Sequence, residues 1–233
     1  MFDRRLRDSD QGDLLSALFR VSRSENGERE LSETELVDQL VTFFVAGTET
    51  VASTLAWAMH LLDQYPDIDH KLHSEASDVL DGSAAHYEHL PELELTSRVV
   101  TETLRLYPPG WLFTRVTTAD TRLGAYDIPR GTHLVYSPYL VHHNQDLYSA
   151  PDSFDPDRWN NHHRPSPEAF IPFGDGARRC IGTEFALTEV TLALATIVAR
   201  WRLRGMSGQQ VRPALGVSLS PSTLRMRATA RRQ

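Results

Sequence analysis

Apolar positions interrupted by Ser16 and closed by Arg20 make Leu14 to Arg20 a short amphipathic segment, which gives way to a polar loop from Ser22 to Glu30. The texture then turns helical. Ser32 with Glu35 three residues later forms a capping-box pattern, and no proline follows until Pro66, so Tyr65 is the latest end of this helix. The spacing predicts a helix over 33–65, about 32 residues and roughly 48 Å long at the standard rise. Leu36, Phe43, Phe44, Val45, Leu55, Trp57, Leu61 and Leu62 cannot all face one neighbour, so it is expected to need apolar partners on several sides. A membrane span is the rival for such a length. Thr48, Glu49, Thr50, Ser53, Thr54 and His60 interrupt the apolar run, and an ionised Glu49 at bilayer depth would be costly, so no transmembrane segment is expected.

Two further helices are predicted at Asp67 to Leu80 and Glu94 to Tyr107, the second closed by Pro108 and Pro109. Between Thr114 and Tyr139 the pattern becomes β-prone: Arg115 to Thr118, Leu123 to Ile128 and Thr132 to Tyr136 are short runs separated by turn residues. One small antiparallel sheet is the expectation. Residues 143–172, rich in Pro, Asp and Asn, read as a long meander, and a stretch of that length is functional or packed down by side chains. From Thr183 to Trp201, Phe185, Leu187, Val190, Leu194, Ile197, Val198 and Trp201 recur at helical spacing, which predicts a deeply packed helix. The tail from Gly205 is a weak strand region. The fold class is mainly α with small antiparallel sheets, in one domain over 1–233.

The 233 residues, 40% hydrophobic and 9% aromatic, suffice for a substantial core. A net charge of -7 argues against a general binder of nucleic acid or anionic membrane, since both need a broad basic surface. A single cysteine, Cys180, excludes an internal disulfide, and the start MFDRRLRDSD lacks the apolar segment of a signal peptide, so the expected compartment is the cytoplasm.

That cysteine sits in the most informative cluster of the chain, Phe173-Gly174-Asp175-Gly176-Ala177-Arg178-Arg179-Cys180-Ile181-Gly182. Two glycines permit a tight loop close to a flat ligand, and a cysteine at the N-terminus of the following helix is placed to be a thiolate. A lone cysteine in a glycine-rich turn is otherwise an inert buried residue. A cysteine hydrolase would pair Cys180 with a histidine, but His142, His143, His162 and His163 show no spacing that identifies a base. Adjacent histidines without a second cysteine do not make a zinc site either. The cluster resembles, at every fixed position, the cysteine-ligand loop of the cytochrome P450 family, Phe-Gly-x-Gly-x-Arg/His-x-Cys-x-Gly.

Three other segments are similar to that family, in its order. Ala46-Gly47-Thr48-Glu49-Thr50 resembles its oxygen-binding segment, although alone it reads as an ordinary packed helix with a back-bonding threonine. A glycine inside a helix costs about 1 kcal/mol relative to alanine, so Gly47 points to close approach of a cofactor or to a local widening of the helix. Glu102-Thr103-Leu104-Arg105 resembles the Glu-x-x-Arg motif, a pattern that is common on solvated helices. Phe154-Asp155-Pro156-Asp157-Arg158-Trp159 is similar to the Phe-x-Pro-x-Arg-Trp segment.

The resemblance implies a cytochrome P450 fold and haem b, with Cys180 as the metal ligand. Ala46, Gly47, Arg115, Phe173, Gly174, Arg178 and Gly182 would then be cofactor-binding, with Arg115 and Arg178 reaching propionates. Thr50 would donate to bound dioxygen, and Glu49 would feed protons into the same network. Glu102, Arg105 and Arg158 would form a structural triad. Val51, Trp111, Leu112 and Phe113 would line a pocket whose bulk favours a hydrophobic substrate. The run from Leu104 to Arg115 is similar to that of actinobacterial terpene hydroxylases, which implies a sesquiterpene or another polycyclic hydrocarbon, with a fatty acid or macrolide as alternatives. The implied activity is a monooxygenase inserting one atom of O2. Its electrons would come from NAD(P)H through an external ferredoxin and ferredoxin reductase, with Arg179 on the docking face or merely solvated. The family carries about as much sequence again before the long helix, so the N-terminal part is expected to be missing. Met1 would be an internal start, a wrongly called start or the start of a truncated gene. A truncated, non-catalytic haem-binding fragment or pseudoenzyme is the rival reading.

Overall fold

The computed structural model describes residues 12–13, 15–18, 32–160 and 165–231. The chain divides into two compact units, residues 1–49 and 50–233. Of the predicted Leu14 to Arg20 segment, residues 15–18 are helical, while the remainder and the Ser22 to Glu30 loop lie outside the described residues, as do His162 and His163.

Helix α1, Glu33–Gln64, is continuous. Its start follows from the capping box: the Glu35 amide donates to Ser32 Oγ at 3.2 Å and the Ser32 amide to Glu35 Oε2 at 2.9 Å. Its end follows from Pro66, because the Tyr65 amide still donates to Leu61 O at 2.9 Å and the next residue has no amide to give. In the first unit, Val37, Val41, Phe44 and Val45 lie at helical spacing on one face and are all exposed, Phe44 to 72%. By length and composition α1 is apolar enough to cross a membrane.

The second unit holds the core. The later part of α1 contributes Val51, Ala58, Met59, Leu61 and Leu62. Helix α2, Pro66–Leu80, adds Leu72, Ala76 and Leu80; it starts on a proline and ends at Asp81, whose left-handed φ of 43° stops it. Helix α3, Glu94–Leu106, buries Val99, Val100, Leu104 and Leu106. A five-residue helix α4, Pro138–His142, begins on the Ser137 side chain, and helix α5, Thr183–Arg200, packs against α2 and α3 through Val190, Leu194, Ala195 and Val198. The expectation that α5 is packed along its whole apolar stripe needs correction at both ends. Phe185 is 71% exposed, and Trp201 has left the helix to open a strand.

The single sheet expected between Thr114 and Tyr139 is two separate ladders. Strand β1, Phe113–Val116, pairs antiparallel with β4, His133–Tyr136. Between them β2, Thr121–Leu123, pairs with β3, Tyr126–Ile128, so the run read as one strand from Leu123 to Ile128 is folded in the middle. Gly124 supplies the positive φ (59°) that this turn requires. Near the C-terminus, β5, Trp201–Gly205, pairs with β8, Met226–Ala230, and β6, Pro213–Leu215, pairs with β7, Leu219–Pro221.

Polar anchors fasten these ladders to the helices. Asp69 on α2 is buried and receives Arg231 on a close contact, with Arg204 at 3.5 Å and Arg202 at 3.7 Å. Leu219 O on β7 accepts from both Ser53 Oγ and Trp57 Nε1 of α1, each at 2.8 Å. Trp57 also stacks on Tyr107 with ring centroids 3.7 Å apart.

Candidate cofactor site

The loop from Phe173 to Gly182 is built by its glycines. Gly174 and Gly176 have φ of 69° and 67°, conformations that side chains resist, and a short 3-10 turn at Gly176–Arg178 reverses the chain. The Cys180 amide returns to Phe173 O at 2.9 Å and closes the loop. Thr183 Oγ donates to Cys180 O at 2.9 Å, which ties the cysteine to the first turn of α5. Cys180 precedes Gly182, the residue that caps α5, and its side chain is exposed. Among the described residues none donates a hydrogen bond to its sulfur. A Cβ on Gly182 would come within 3.9 Å of Cys180 Sγ, so glycine there keeps the approach to the sulfur clear.

The β1–β4 ladder closes on this loop. A Cβ on Gly174 would meet Tyr136 Oη at 3.7 Å and Phe113 Cζ at 3.9 Å. Those two rings stack with centroids 5.4 Å apart, and Arg115 Nη2 donates to Tyr136 Oη at 3.3 Å. Tyr136 thus links Arg115 to the glycine loop, a role no sequence motif announced. The half-buried Arg115 has no carboxylate partner among the described residues, nor has the exposed Arg178. An exposed sulfur in a glycine-bounded loop, with two uncompensated guanidinium groups on the loop and on the ladder against it, fits a flat, anionic, thiolate-ligated group. Haem b with its propionates has that chemistry.

Glu102, Arg105 and Arg158 come together. Glu102 and Arg105 are wholly buried, and the guanidinium grips the carboxylate through Nε to Oε2 and Nη2 to Oε1, both 2.8 Å. Arg158 Nε approaches Oε1 at 3.4 Å, and the Asp155 amide donates to the same oxygen at 3.1 Å. Trp159 Nε1 donates to Oε2 at 2.8 Å, a member of the cluster that the sequence reading missed. Arg105 also donates to His142 O at the end of α4 and to Pro151 O and Ser153 O, so one side chain holds α4 and, at two points, the meander. Tyr148 lies in the same region with its hydroxyl on Ala169 O, and burial pushes its phenol up to about 12.

The remaining candidates are placed as follows. Ala46, Gly47 and Glu49 belong to the first unit, where α1 is regular α-helix with no local widening, and a Cβ on Gly47 would meet nothing within 4 Å. Thr50 is half-buried in the second unit and its carbonyl accepts from Thr54 Oγ1 at 2.9 Å. Val51 is buried. Trp111 donates to Gly216 O at 3.1 Å, Leu112 is exposed, and Phe113 is half-buried on Tyr136.

A thiol loop of this construction beside a helical core has the chemistry that a cysteine-ligand haem protein needs. The family model for cytochrome P450 matches residues 2–226. Pentalenene oxygenase of Streptomyces avermitilis is 48% identical over 227 residues, covering 96% of this chain and 50% of that protein. Cyclooctat-9-en-7-ol 5-monooxygenase of Streptomyces melanosporofaciens is 47% identical, covering 88% and 45%. Among solved structures, a cytochrome P450DA heme domain superposes with a TM-score of 0.89 at 30% identity, covering 98% of this chain and 51% of its own. The chain belongs to the cytochrome P450 family, whose cofactor is haem, and it spans about half the length of the curated relatives it matches.

Proposed function

We propose that this chain carries the cysteine-ligand half of a haem-thiolate monooxygenase that inserts one atom of dioxygen into a hydrophobic, terpenoid-type substrate. The observation that carries the reading is the exposed Cys180 sulfur in its closed loop, with the uncompensated Arg178 two residues before it and the uncompensated Arg115 tied to Tyr136 beside the loop. Bound haem would supply dioxygen activation, which no side chain provides.

The protein's own residues have simpler tasks. Cys180 donates its thiolate as the metal ligand. Arg115 and Arg178 pair with carboxylates, and Tyr136 holds Arg115 in place. Gly174 and Gly182 keep the surface beside the sulfur free of side chains. Thr50 would offer a hydroxyl hydrogen bond and Glu49, its neighbour in the chain, would hold and pass on a proton. Trp111, Leu112 and Phe113 offer apolar surface to substrate. Pentalenene and cyclooctat-9-en-7-ol, named in the two relatives, support a largely apolar terpene or terpene alcohol as the substrate class.

Electrons come from NAD(P)H through a separate ferredoxin and its reductase, and the protein works in the cytoplasm. The packing of the later part of α1 supports a core helix over a membrane span: Ser53 and Trp57 spend their polar groups on Leu219 O, and Trp57, Ala58, Leu61 and Leu62 are buried against protein.

The test is an absorption spectrum of the chain, joined to the upstream sequence of its genomic locus and reconstituted with haem b. A red-shifted band of the reduced carbon monoxide complex is expected. A haem band without that shift favours a non-catalytic haem-binding protein, and no haem band removes the reading.

A further inference from the structure

His142 is wholly buried, yet it belongs to none of the motifs that the family reading absorbed. Its Nδ1 lies 3.0 Å from Arg105 O, and its Nε2 lies 3.0 Å from the Ile171 amide nitrogen. A carbonyl oxygen only accepts and an amide N–H only donates, so the ring is neutral with its proton on Nδ1. Burial drives its pKa down to about 3, which keeps it in that form.

Both partners need it. Arg105 O is in the last turn of α3, where it would accept from an amide three or four residues on. Those residues are Pro108 and Pro109, which have none to offer. The imidazole supplies the missing donor. At its other edge it receives Ile171, the residue that leads into the cysteine loop. From there the bonds run on: the Gly174 amide donates to Ile171 O at 3.1 Å, and the Cys180 amide to Phe173 O at 2.9 Å. Phe170 stacks on the His142 ring at 5.5 Å, so the approach to the loop is held by packing as well.

We propose that His142 is a positioning residue for the cysteine loop, a neutral two-ended bridge that fastens Ile171, and through it the loop to Cys180, onto the end of α3. The Glu102–Arg105 pair makes that end rigid, and the bridge extends its rigidity to the sulfur. The purpose of this placement rests on the haem-thiolate reading, whereas its test does not.

The test compares the chain with His142→Phe, which keeps an aromatic ring but neither bond, and His142→Gln, which reaches only one partner. Amide hydrogen exchange is followed over residues 171–180 and, as an internal control, over α2. A nitroxide attached to Cys180, the single cysteine, reports loop mobility. His142→Phe is expected to speed exchange over 171–180 roughly tenfold and to loosen the nitroxide, with α2 unchanged; His142→Gln gives a smaller increase. Should the phenylalanine variant not fold, the glutamine variant decides alone. Exchange over 171–180 at the wild-type rate, or the same acceleration in α2, overturns the proposal. Failure of the longer protein of the absorption test to bind haem, together with the local exchange difference in this chain, would sink the haem-thiolate reading and leave the role of His142 standing.

Discussion

Trp159 Nε1 donates to Glu102 Oε2 at 2.8 Å, so a carboxylate with no exposure at all is bound by an indole as well as by its arginine. A buried ion pair gains little over apolar packing, but breaking it strands a charge. Glu102→Ala leaves Arg105 buried without its counter-ion and is expected to cost about 3 to 5 kcal/mol. Urea unfolding measures it; a loss under about 1 kcal/mol would mean that the pair is not the anchor of the meander.

Replacing Cys180 with His removes the thiolate and is expected to abolish the red-shifted band of the reduced carbon monoxide complex in haem-loaded protein that includes the upstream sequence. Survival of that band would exclude Cys180 as the ligand.

Thr50→Ala is expected to leave haem and substrate binding intact while diverting reducing equivalents to peroxide. The ratio of product formed to NAD(P)H consumed is the measurement, and an unchanged ratio takes Thr50 out of proton delivery.

Val37, Val41, Phe44 and Val45 leave an apolar face open on α1. Full burial of such a side chain is worth about 1.5 to 3 kcal/mol and each of these forgoes part of it, so residues 1–233 alone are expected to self-associate and to hold haem poorly. In size-exclusion chromatography Phe44→Glu should shift the elution toward monomer. A monodisperse wild-type monomer with stoichiometric haem would refute this.

His142 titrates near 3 in the folded protein against about 6.5 when exposed. Between those values the unfolded chain binds a proton that the native state refuses, so stability falls as pH drops through this window. The slope from this one group approaches 1.4 kcal/mol per pH unit. Burial lowers His60, His73 and His143 in the same direction. The urea midpoint of His142→Gln should therefore depend less on pH than that of the wild type; an equal dependence would mean that His142 is not buried as a neutral ring.

Helix ends were legible because they are local: Ser32 with Glu35, Pro66 and the Pro108-Pro109 pair each act within a few residues of the terminus they set. The cysteine loop was legible for the same reason, since Gly174 and Gly176 announce the backbone they need. The fold inside Leu123 to Ile128 was missed because Leu123, Tyr126 and Ile128 look like a strand, and only Gly124, a single weak sign, marks the turn. Tyr136, His142 and Trp159 were missed because their partners are distant in sequence. Trp159 finds Glu102 and His142 finds Ile171 only after the meander has wrapped around α3, and nothing adjacent to either residue encodes that.

The carbonyl of Leu219 has a consequence for the order in which the chain assembles. Ser53 and Trp57 donate to an oxygen 166 and 162 residues downstream, so α1 cannot be seated while the protein is still on the ribosome and β7 has yet to emerge. Until then Trp57 Nε1 and Ser53 Oγ lack the acceptor they share in the folded protein, and closing so long a loop is slow. The latch on α1 is therefore among the last contacts of this unit to form. A nonsense codon anywhere before Leu219 would leave the long helix unlatched, even though the cysteine loop itself had been made.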